Sequence, residues 1–336
     1  MAIRVGINGF GRIGRNFFRA AKQRGADIDF VAANDLLSVE LMGHLLKYDT
    51  ILGTYAGDVE VVGDGIKVDG DTLKIVAERD PTALPWGELG VDVVVESTGL
   101  FTSREKAALH LEAGAPFVII SAPGKDVDAT FVVGVNDGTF DPERHKVVSN
   151  ASCTTNCFVP MVKVLDDAFG IDRGLMTTVH AYTGTQALVD GPSKDLREAR
   201  AAALNIIPST TGAARATSLV LEAMKGKLDG QSLRVPVADG SITDFTGVLS
   251  RDVTVDEVNA AFRGACESGP LSNGILVYST DQIVSSDIVG SPASCTFDAP
   301  LTMAMGNLVK VMGWYDNEWG YSNRLVDLVE IVATTR

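Results

Sequence analysis

Cys153 is the residue of this chain that is best suited to covalent chemistry. It lies in the stretch SNASCTTNC at 149–157, among small hydroxyl and amide side chains. Apolar residues follow at spacings of three and four, which predicts a helix that begins close to Cys153. Free N–H groups and the positive dipole end of a first turn favour an anion, so we expect a lowered thiol pKa and a nucleophilic Cys153. The alternative is a small residue that packs in a strand-to-helix turn.

His180 is the candidate partner of this thiol. It ends the predicted strand LMTTVH at 175–180, which runs back from the helix that follows Cys153. A histidine beside a thiol can take its proton and form an ion pair. The alternative is a structural histidine. Cys157 lies one helical turn after Cys153, where disulfide geometry is poor, so we interpret it as a packed thiol.

A glycine motif near the N-terminus predicts dinucleotide binding. An alternating apolar strand leads into Gly9-Phe10-Gly11-Arg12-Ile13-Gly14, and a helical pattern follows. Glycines at these positions allow a tight turn and close approach of the backbone to a pyrophosphate. A second strand ends in Asn34-Asp35, where a carboxylate can bind the adenosine ribose hydroxyls and disfavours the 2′-phosphate of NADP. NAD is therefore the predicted cofactor.

Two further apolar stretches, at 91–96 and 117–123, are typical of buried parallel strands. Ser97-Thr98-Gly99 follows the first stretch, and Ser121 lies near the end of the second. Ligands in parallel sheets bind beyond the carboxyl ends of the strands, so we expect these residues to line the cofactor cleft. The alternative is that they are ordinary turn residues.

The order of these elements predicts an α/β chain with two domains. We expect a Rossmann-type, parallel-sheet NAD domain at 1–152 and an α+β catalytic domain with a mainly antiparallel sheet at 153–315. Helices are predicted at 254–266 and 271–276, and a C-terminal helix within 316–336 should pack back onto the first domain. Cys153 would then lie at the boundary, beside the nicotinamide.

Candidate anion sites follow Cys153 in the chain. The stretch PSTTGAA at 208–214 offers hydroxyls and a glycine ahead of a helix, and Arg234 is a single basic residue in a strand. The alternatives are that the stretch 208–214 only caps a helix and that Arg234 is an ordinary surface charge. Residues 195–204 are strong helix formers, although Pro192 and Pro208 bracket them.

Composition excludes several classes of protein. The 336 residues are 46% hydrophobic and 21% charged, which suits a folded core. No apolar run approaches the ~18 residues of a membrane helix, and the N-terminus begins as a strand instead of a signal segment, so a cytoplasmic protein is expected. The net charge of −14 argues against a dedicated nucleic-acid binder. The four cysteines do not have the spacing of a zinc site, and no metal site is predicted.

Taken together, the motifs resemble the phosphorylating glyceraldehyde-3-phosphate dehydrogenases (type I, NAD-dependent), from residue 2 to about 333. The matching stretches are GINGFGRIGR at 6–15, ND at 34–35, HLLKYD at 44–49, STG at 97–99, SAP at 121–123, SNASCTTNC at 149–157, TTVHAYT at 177–183, STTGAAR at 209–215, RVP at 234–236 and WYDNEWGYS at 314–322. The cysteine and terminal stretches are very specific to that family.

The resemblance implies a reaction and roles for individual residues. Cys153 would attack the aldehyde of glyceraldehyde 3-phosphate and His180 would act as acid and base. A hemithioacetal would lose hydride to NAD, and inorganic phosphate would cleave the resulting thioester to 1,3-bisphosphoglycerate. The implied substrate-phosphate residues are Thr183 and Arg234. The implied inorganic-phosphate residues are Ser152, Thr154, Thr211 and Gly212. The implied cofactor residues are Arg12, Ile13, Asp35, Arg79, Ser121, Asn317 and Tyr321.

The resemblance also implies a homotetramer whose subunit interfaces contain an extended loop at 182–207, in place of a helix at 195–204. One position departs from the family pattern. Many bacterial relatives carry arginine where this chain has Glu198. If that arginine helps to bind the attacking phosphate, this chain must bind phosphate without it.

Two other interpretations remain. Erythrose-4-phosphate dehydrogenase, a relative, hydrolyses its thioester, and the phosphate dependence of NADH production would discriminate it. A non-enzymatic binding or adhesion protein of the same fold would bind its partner without NAD and show no dehydrogenase activity. The presence of Cys153, His180 and Asp35 favours an active enzyme.

Overall fold

The computed structural model describes residues 2–335, which form two compact units. The first unit contains residues 2–131, Asp137–Ala151 and 322–335, and the second contains Val132–Asn136 and Ser152–Tyr321. The units differ from the predicted domains at 132–136, at Ser152 and at 316–321. Met1 and Arg336, the ends of the predicted domain ranges, lie outside the described residues.

The first unit is built on a nine-stranded sheet, counted over the described residues. Its strands are β1 (Ile3–Asn8), β2 (Ile28–Asn34), β3 (Val59–Val62), β4 (Gly65–Val68), β5 (Asp71–Val76), β6 (Val93–Glu96), β7 (Phe117–Ile120), β8 (Ala129–Thr130) and β9 (Val147–Ser149). Their spatial order is β3-β4-β5-β2-β1-β6-β7-β9-β8. Only the pairings of β4 with its two neighbours are antiparallel. Because the remaining pairs are parallel, the carboxyl ends of β1, β2 and β6 meet at one edge.

Short helices connect these strands. They are α1 (Arg12–Arg24), α2 (Val39–Lys47), α3 (Arg104–Ala107) and α4 (Leu109–Glu112). Gly25 ends α1 in the left-handed conformation, with φ of 63°, which glycine adopts without steric cost. Residues 322–335 carry the later turns of the last helix, and Arg24 pairs with Asp327 there at 2.7 Å. This ion pair ties the last helix to α1.

The second unit is built on an eight-stranded sheet of the described residues. Its strands are β10 (Ile171–Ala181), β11 (Ile207–Thr210), β12 (Leu228–Val235), β13 (Ser241–Leu249), β14 (Leu276–Ser279), β15 (Cys295–Asp298), β16 (Met303–Met305) and β17 (Leu308–Tyr315). Its helices are α5 (Cys153–Phe169), α6 (Ala213–Val220) and α7 (Val255–Glu267), and α8 (Trp319–Thr334) begins in this unit. The pairs β10–β12 and β14–β15 are parallel and the others are antiparallel. The predicted α/β fold class is confirmed, with one mostly parallel and one mainly antiparallel sheet.

The register of the second sheet sets the neighbours of His180. In the parallel pair β10–β12, His180 stands opposite Arg234. In the antiparallel pair β11–β12, Ile207 stands opposite Arg234 on its other side. Buried apolar residues of α5, such as Phe158, pack against Phe245 of β13 with ring centroids 5.2 Å apart. This packing fixes α5 on the sheet that carries His180.

Two segments with helical sequence patterns have other structures. The helix predicted at 271–276 is wrong, because Gly269 and Gly274 have φ of 88° and 75°, which breaks a helix, and Leu276 opens β14. Residues 182–201 form turns and bends in place of an α-helix. Asp190 accepts hydrogen bonds from Ala201 N and Arg200 Nε, which draws the segment into a loop.

Among residues 2–335, no helix is both long enough and apolar enough to cross a membrane.

Candidate active site

Cys153 is the first residue of α5, as predicted. Ser152 caps the helix, since its hydroxyl oxygen accepts the Thr155 N–H at 3.1 Å. The preceding Ala151 has φ of 56°, a left-handed conformation that costs a non-glycine residue roughly 1–3 kcal/mol. Strain of this kind is typical of turns that position a functional side chain.

The thiol and the imidazole of His180 are in contact. Cys153 Sγ lies 3.4 Å from His180 Nε2. His180 is buried, at 4% exposure, and Cys153 is half-buried. The predicted return of β10 to Cys153 is therefore correct, and a proton can pass between the two side chains without a bridging group.

Arg234 contacts the other ring nitrogen of His180. His180 Nδ1 lies 2.6 Å from Arg234 Nη1 and 2.7 Å from its own neighbour's carbonyl, Ala181 O. A ring nitrogen donates when it carries the proton and accepts when it does not, so Nδ1 can serve only one partner at a time. Donation to Ala181 O leaves a lone pair on Nε2, which faces the thiol. Donation from Arg234 to Nδ1 selects the opposite tautomer.

Burial keeps the thiol and the imidazole neutral in the free protein. It raises the pKa of Cys153 to about 11, although the Arg234 charge and hydrogen bonds from Thr154 oppose the rise. Burial and Arg234 lower the pKa of His180 to about 3. The predicted lowering of the thiol pKa is therefore wrong, because desolvation outweighs the helix N-terminus and Arg234. Both shifts favour a neutral thiol and a neutral imidazole over a thiolate–imidazolium pair in the free protein.

A buried hydroxyl cluster supports this pair. Thr154 Oγ1 and Thr178 Oγ1 lie 2.9 and 2.7 Å from the hydroxyl of Tyr315, whose ring packs edge-on against His180. Sequence reasoning missed Thr178 and Tyr315, since nothing in their spacing predicts that the two strands meet at His180. The hydroxyl of Thr154, which was predicted to bind phosphate, is turned toward Tyr315, and the residue as a whole is 4% exposed.

The other predicted phosphate residues are half-buried or exposed in the second unit. Thr183 Oγ1 lies 3.0 Å from Thr185 Oγ1, just beyond the end of β10. Thr211 accepts the Ala213 N–H, and the exposed Gly212 caps α6. Arg234 Nε is buried and has no hydrogen-bond partner. An anion would satisfy this donor.

Asn317 and Tyr321, both predicted to bind cofactor, are buried in the second unit. Asn317 Oδ1 accepts a hydrogen bond from Ser241 Oγ at 2.7 Å. The same serine oxygen accepts the Ala181 N–H. Ser241, which sequence reasoning missed, therefore ties Asn317 to the end of β10.

The predicted dinucleotide turn lies in the first unit. Gly9 has φ of 94°, and a Cβ built on it would lie 2.6 Å from Thr98 N. A Cβ on Gly14 would lie 2.2 Å from Gly9 O. Both glycines are therefore required by the fold itself. A Cβ on Gly11 would meet nothing within 4 Å, so internal packing does not require this glycine.

A cavity of about 330 Å³ adjoins this turn. Among the residues that line it are the predicted Gly9, Gly11, Asn34, Asp35, Arg79, Ser97 and Thr98. It also contains Asn8, Leu36, Glu78, Pro81, Leu100 and Phe101, which sequence reasoning missed. The space in front of Gly11 and the uncapped first turn of α1 suit a pyrophosphate, so the residues present fit a dinucleotide.

Asp35 lies at the carboxyl end of β2. Its Oδ2 accepts the Phe10 N–H at 2.8 Å and its Oδ1 accepts the Leu37 N–H at 3.2 Å. Each carboxylate oxygen retains a second lone pair for a ribose hydroxyl.

The remaining predicted cofactor residues do not line the cavity. Phe10 is buried in the core, Gly14 packs on Gly9, Ile13 is half-buried, and Arg12 pairs with Asp49. Gly99 is exposed, with φ of 74°, and Ser121 donates its N–H to Glu96 O.

Comparison with known proteins places this chain in a family. A model described as the NAD binding domain of glyceraldehyde 3-phosphate dehydrogenase matches residues 3–104, and one described as its C-terminal domain matches 152–317. The glyceraldehyde-3-phosphate dehydrogenase of Streptomyces coelicolor is 62% identical over 334 residues, which cover 99% of each chain. That of Mycolicibacterium smegmatis is 58% identical over 340 residues, again covering 99% of each.

The chain belongs to the glyceraldehyde-3-phosphate dehydrogenase family.

The family resemblance predicted from the motifs is thus confirmed over nearly the whole chain. The match of an NAD-binding model to residues 3–104 also confirms NAD as the cofactor. In this family member, a larger cavity of about 850 Å³ lies in the second unit and is lined partly by Arg173, Leu175 and Leu308. Leu175 is five residues from His180 along β10, roughly 17 Å, so this cavity is remote from the thiol.

Proposed function

We propose that Cys153 and His180 carry the oxidation of D-glyceraldehyde 3-phosphate by NAD and inorganic phosphate to 1,3-bisphosphoglycerate. The observation that supports this most directly is the 3.4 Å contact of Cys153 Sγ with His180 Nε2, with Arg234 on the same imidazole. Oxidation of an aldehyde that bears a phosphate requires a nucleophile, a base and a cation that binds the phosphate. The thiol, the imidazole and the guanidinium at this site can supply these three functions.

The thiol converts a trigonal aldehyde carbon into a tetrahedral one. Sγ of Cys153 attacks the carbonyl carbon, its proton passes to His180 Nε2, and the imidazolium returns the proton to the carbonyl oxygen. The product is a hemithioacetal. NAD, when bound, accepts the hydride of this carbon. His180 takes the hydroxyl proton as the hydride leaves, and a thioester to Cys153 remains.

Phosphate completes the reaction. An oxygen of inorganic phosphate attacks the thioester carbon, the C–S bond breaks, and Cys153 leaves as a thiolate. His180 returns the proton to this sulfur. The acyl phosphate departs and the thiol and imidazole regain their neutral forms.

Arg234 is proposed to bind the substrate phosphate together with Thr183. Its unpartnered Nε supports this role, and so does its position opposite His180. Thr210, the residue before Thr211, stands opposite Gln231 of β12. Gln231 is three residues from Arg234 along this strand. The spacing, roughly 10 Å along the strand, would keep the anion at Arg234 apart from a second anion at Thr211 and Gly212.

Phosphate dependence of NADH formation tests the proposed reaction. We expect the steady-state rate with glyceraldehyde 3-phosphate and NAD to fall to background when inorganic phosphate is omitted. Arsenate, a phosphate analogue, should restore it. An unchanged rate without either anion would contradict the proposal and favour hydrolysis of the thioester, as in erythrose-4-phosphate dehydrogenase. A protein that lacks dehydrogenase activity with all substrates present would instead favour a binding role.

Replacement of Asp35 by glycine should weaken the preference for NAD over NADP by about tenfold or more, because a carboxylate repels the 2′-phosphate. The ratio of kcat/KM for the two cofactors measures the effect. Asp35→Asn is the matched comparison, since an amide keeps an acceptor for Phe10 N but loses the charge. An unchanged ratio in both variants would exclude a ribose role for Asp35.

Glu198 is expected to weaken phosphate binding. Its Oε1 accepts a hydrogen bond from Ser209 Oγ at 2.5 Å, two residues before Thr211. Glu198→Arg should lower KM for inorganic phosphate about threefold or more, since it reverses a charge near the proposed site. Glu198→Gln keeps an acceptor for Ser209 and should have an intermediate KM. A KM for phosphate that stays constant or rises across this series would contradict the assignment.

We also propose that the chain forms a homotetramer in the cytoplasm. The loop at 182–207 supports association, since Leu188, Leu196 and Leu204 are 82%, 86% and 81% exposed. Leu196→Asp should shift the sedimentation coefficient to a smaller species, while Val62→Asp on β3 should leave it unchanged. Identical sedimentation of all three proteins would exclude this loop from an interface.

A further inference from the structure

A buried polar network lies behind the wall of the cofactor cavity in the first unit. Glu96 ends β6 and is 1% exposed. Its Oε2 accepts from Asn8 Nδ2 at 2.5 Å and lies 3.0 Å from His110 Nε2. Its Oε1 accepts from the N–H and the hydroxyl of Thr98. Every partner of this carboxylate is thus a donor, which suits a group that only accepts.

Trp86 sets the proton position on His110. The indole Nε1 of Trp86 lies 3.0 Å from His110 Nδ1, and both side chains are fully buried. An indole N–H can only donate, so Nδ1 must accept and the ring proton is on Nε2. The Nε2–H therefore points at Glu96. Neither Trp86 nor His110 lines the cavity.

Hydrogen bonds also fix the orientations of two side-chain amides at the cavity edge. Since Asn8 presents Nδ2 to Glu96, its Oδ1 faces Asn34, whose Nδ2 donates to it at 2.7 Å. Asn34 in turn donates to Glu78 O and accepts the Glu78 N–H at 2.7 Å. Asn8, Asn34, Glu78 and Thr98 all line the cavity. One connected array thus joins the carboxyl ends of β1, β2 and β6.

We propose that Glu96 and His110 are positioning residues for NAD. Through Asn8 and Asn34 they hold the strand end that carries Asp35, and through Thr98 they hold the opposite wall. Neither side chain lines the cavity, so the role is to preserve the shape of the cavity before NAD binds. The inference rests on the proposed assignment of the cofactor to this cavity.

Glu96→Gln is the sharpest test, because it keeps the shape of the side chain. All the neighbours of Glu96 are donors, so the new NH₂ group must face one of them. We expect the dissociation constant for NAD, measured by calorimetry on the full chain, to rise about tenfold or more. KM for NAD should rise likewise, while KM for glyceraldehyde 3-phosphate and the rate of Cys153 alkylation without cofactor stay unchanged.

Asp128→Asn is the matched control. Asp128 is a poorly exposed carboxylate of the same unit that accepts from Arg104 Nε and from the N–H groups of Lys146 and Val147. It lies outside the cavity lining. The variant should lose stability but retain its affinity for NAD. Equal loss of NAD affinity in Glu96→Gln and Asp128→Asn would overturn the proposal, since it would reflect general destabilisation.

A second pair keeps the test decisive if Glu96→Gln does not fold. His110→Phe removes the donor to Glu96, whereas His110→Gln retains an N–H for it. We expect weakened NAD binding in the first and near-normal binding in the second. Normal affinity in both, or in Glu96→Gln, would overturn the positioning role.

If Asp35→Gly also leaves cofactor preference unchanged, the cavity assignment itself fails. An effect at Asp35 alone would reject only the role of Glu96 and His110.

Discussion

Replacement of Cys153 by serine should reduce turnover by about 10⁴-fold or more, while NAD binding persists. Serine keeps a hydrogen bond to His180, but its hydroxyl is a far weaker nucleophile than sulfur, and an oxygen ester is less readily opened by phosphate. Steady-state kcat measures the loss. Calorimetric titration with NAD should show an affinity within about twofold of the unsubstituted protein.

Cys157→Ser provides the matched control for this substitution. Cys157 lies one turn further along α5, is fully buried, and contacts Gly313 O at 3.5 Å. The thiol that lies against His180 is that of Cys153, so the Cys157→Ser variant should keep most of its turnover, although burial of a hydroxyl will lower stability. A Cys153→Ser protein that turns over normally would show that the nucleophile is misassigned. Loss of turnover in Cys157→Ser alone would do the same.

Replacement of His180 by glutamine should lower kcat by about 10²–10⁴-fold, with KM for NAD unchanged. Nε2 of His180 lies 3.4 Å from the sulfur, within reach of the thiol proton. Burial and the Arg234 charge lower the pKa of His180, and a substrate phosphate at Arg234 would oppose the part of the lowering that is due to Arg234 and strengthen the base. Glutamine can form a hydrogen bond with Cys153 but cannot accept a proton. Alkylation of Cys153 at pH 7 should therefore slow together with kcat.

His44→Gln is the control for this effect. His44 is an exposed residue of α2 in the first unit, outside the proposed site. It should have normal kcat and a normal rate of thiol alkylation. If His180→Gln retains kcat within about threefold, another group must accept the proton. Among the described residues that contact the Cys153 sulfur, His180 is the only base.

Arg234 has two roles in the proposed reaction. It is proposed to bind the substrate phosphate, and in the free protein it contacts the nitrogen of His180 that must donate to Ala181 O. A phosphate that draws Nη1 away from Nδ1 would leave this nitrogen free to donate to Ala181. The lone pair of the imidazole would then face the thiol. Substrate binding and activation of the base would thus be linked through one guanidinium.

Local sequence determined the parts of this protein that depend on backbone chemistry. Gly9 and Gly14 are required because a Cβ at either position would collide with neighbouring backbone atoms, and this requirement is visible in the spacing of the motif. The position of Cys153 at the start of α5 follows from the residues around it, since helix capping by Ser152 is a local interaction. The position of Asp35 beside the cofactor cavity follows from the strand that precedes it, because ligands in parallel sheets bind at the carboxyl ends of the strands.

Only the tertiary structure decided which side chains meet. The contact of His180 with Arg234 depends on the register of β10 with β12, 54 residues apart in the chain. The cluster of Thr154, Thr178 and Tyr315, and the array behind the cofactor cavity, likewise join distant segments. Spacing along the chain carries no information on such pairings, because they are set by how whole strands and helices pack.

Burial was equally invisible to local reasoning. A helix N-terminus beside Cys153 predicted a lowered thiol pKa, but the packed surroundings raise it to about 11. At 195–204, helix propensity lost to the hydrogen bonds of Asp190 and to the flanking prolines. In both cases a local preference of about 1 kcal/mol competes with desolvation or with several tertiary contacts, and the larger energy prevails. Sequence therefore predicted which groups are reactive, and the fold determined their environment.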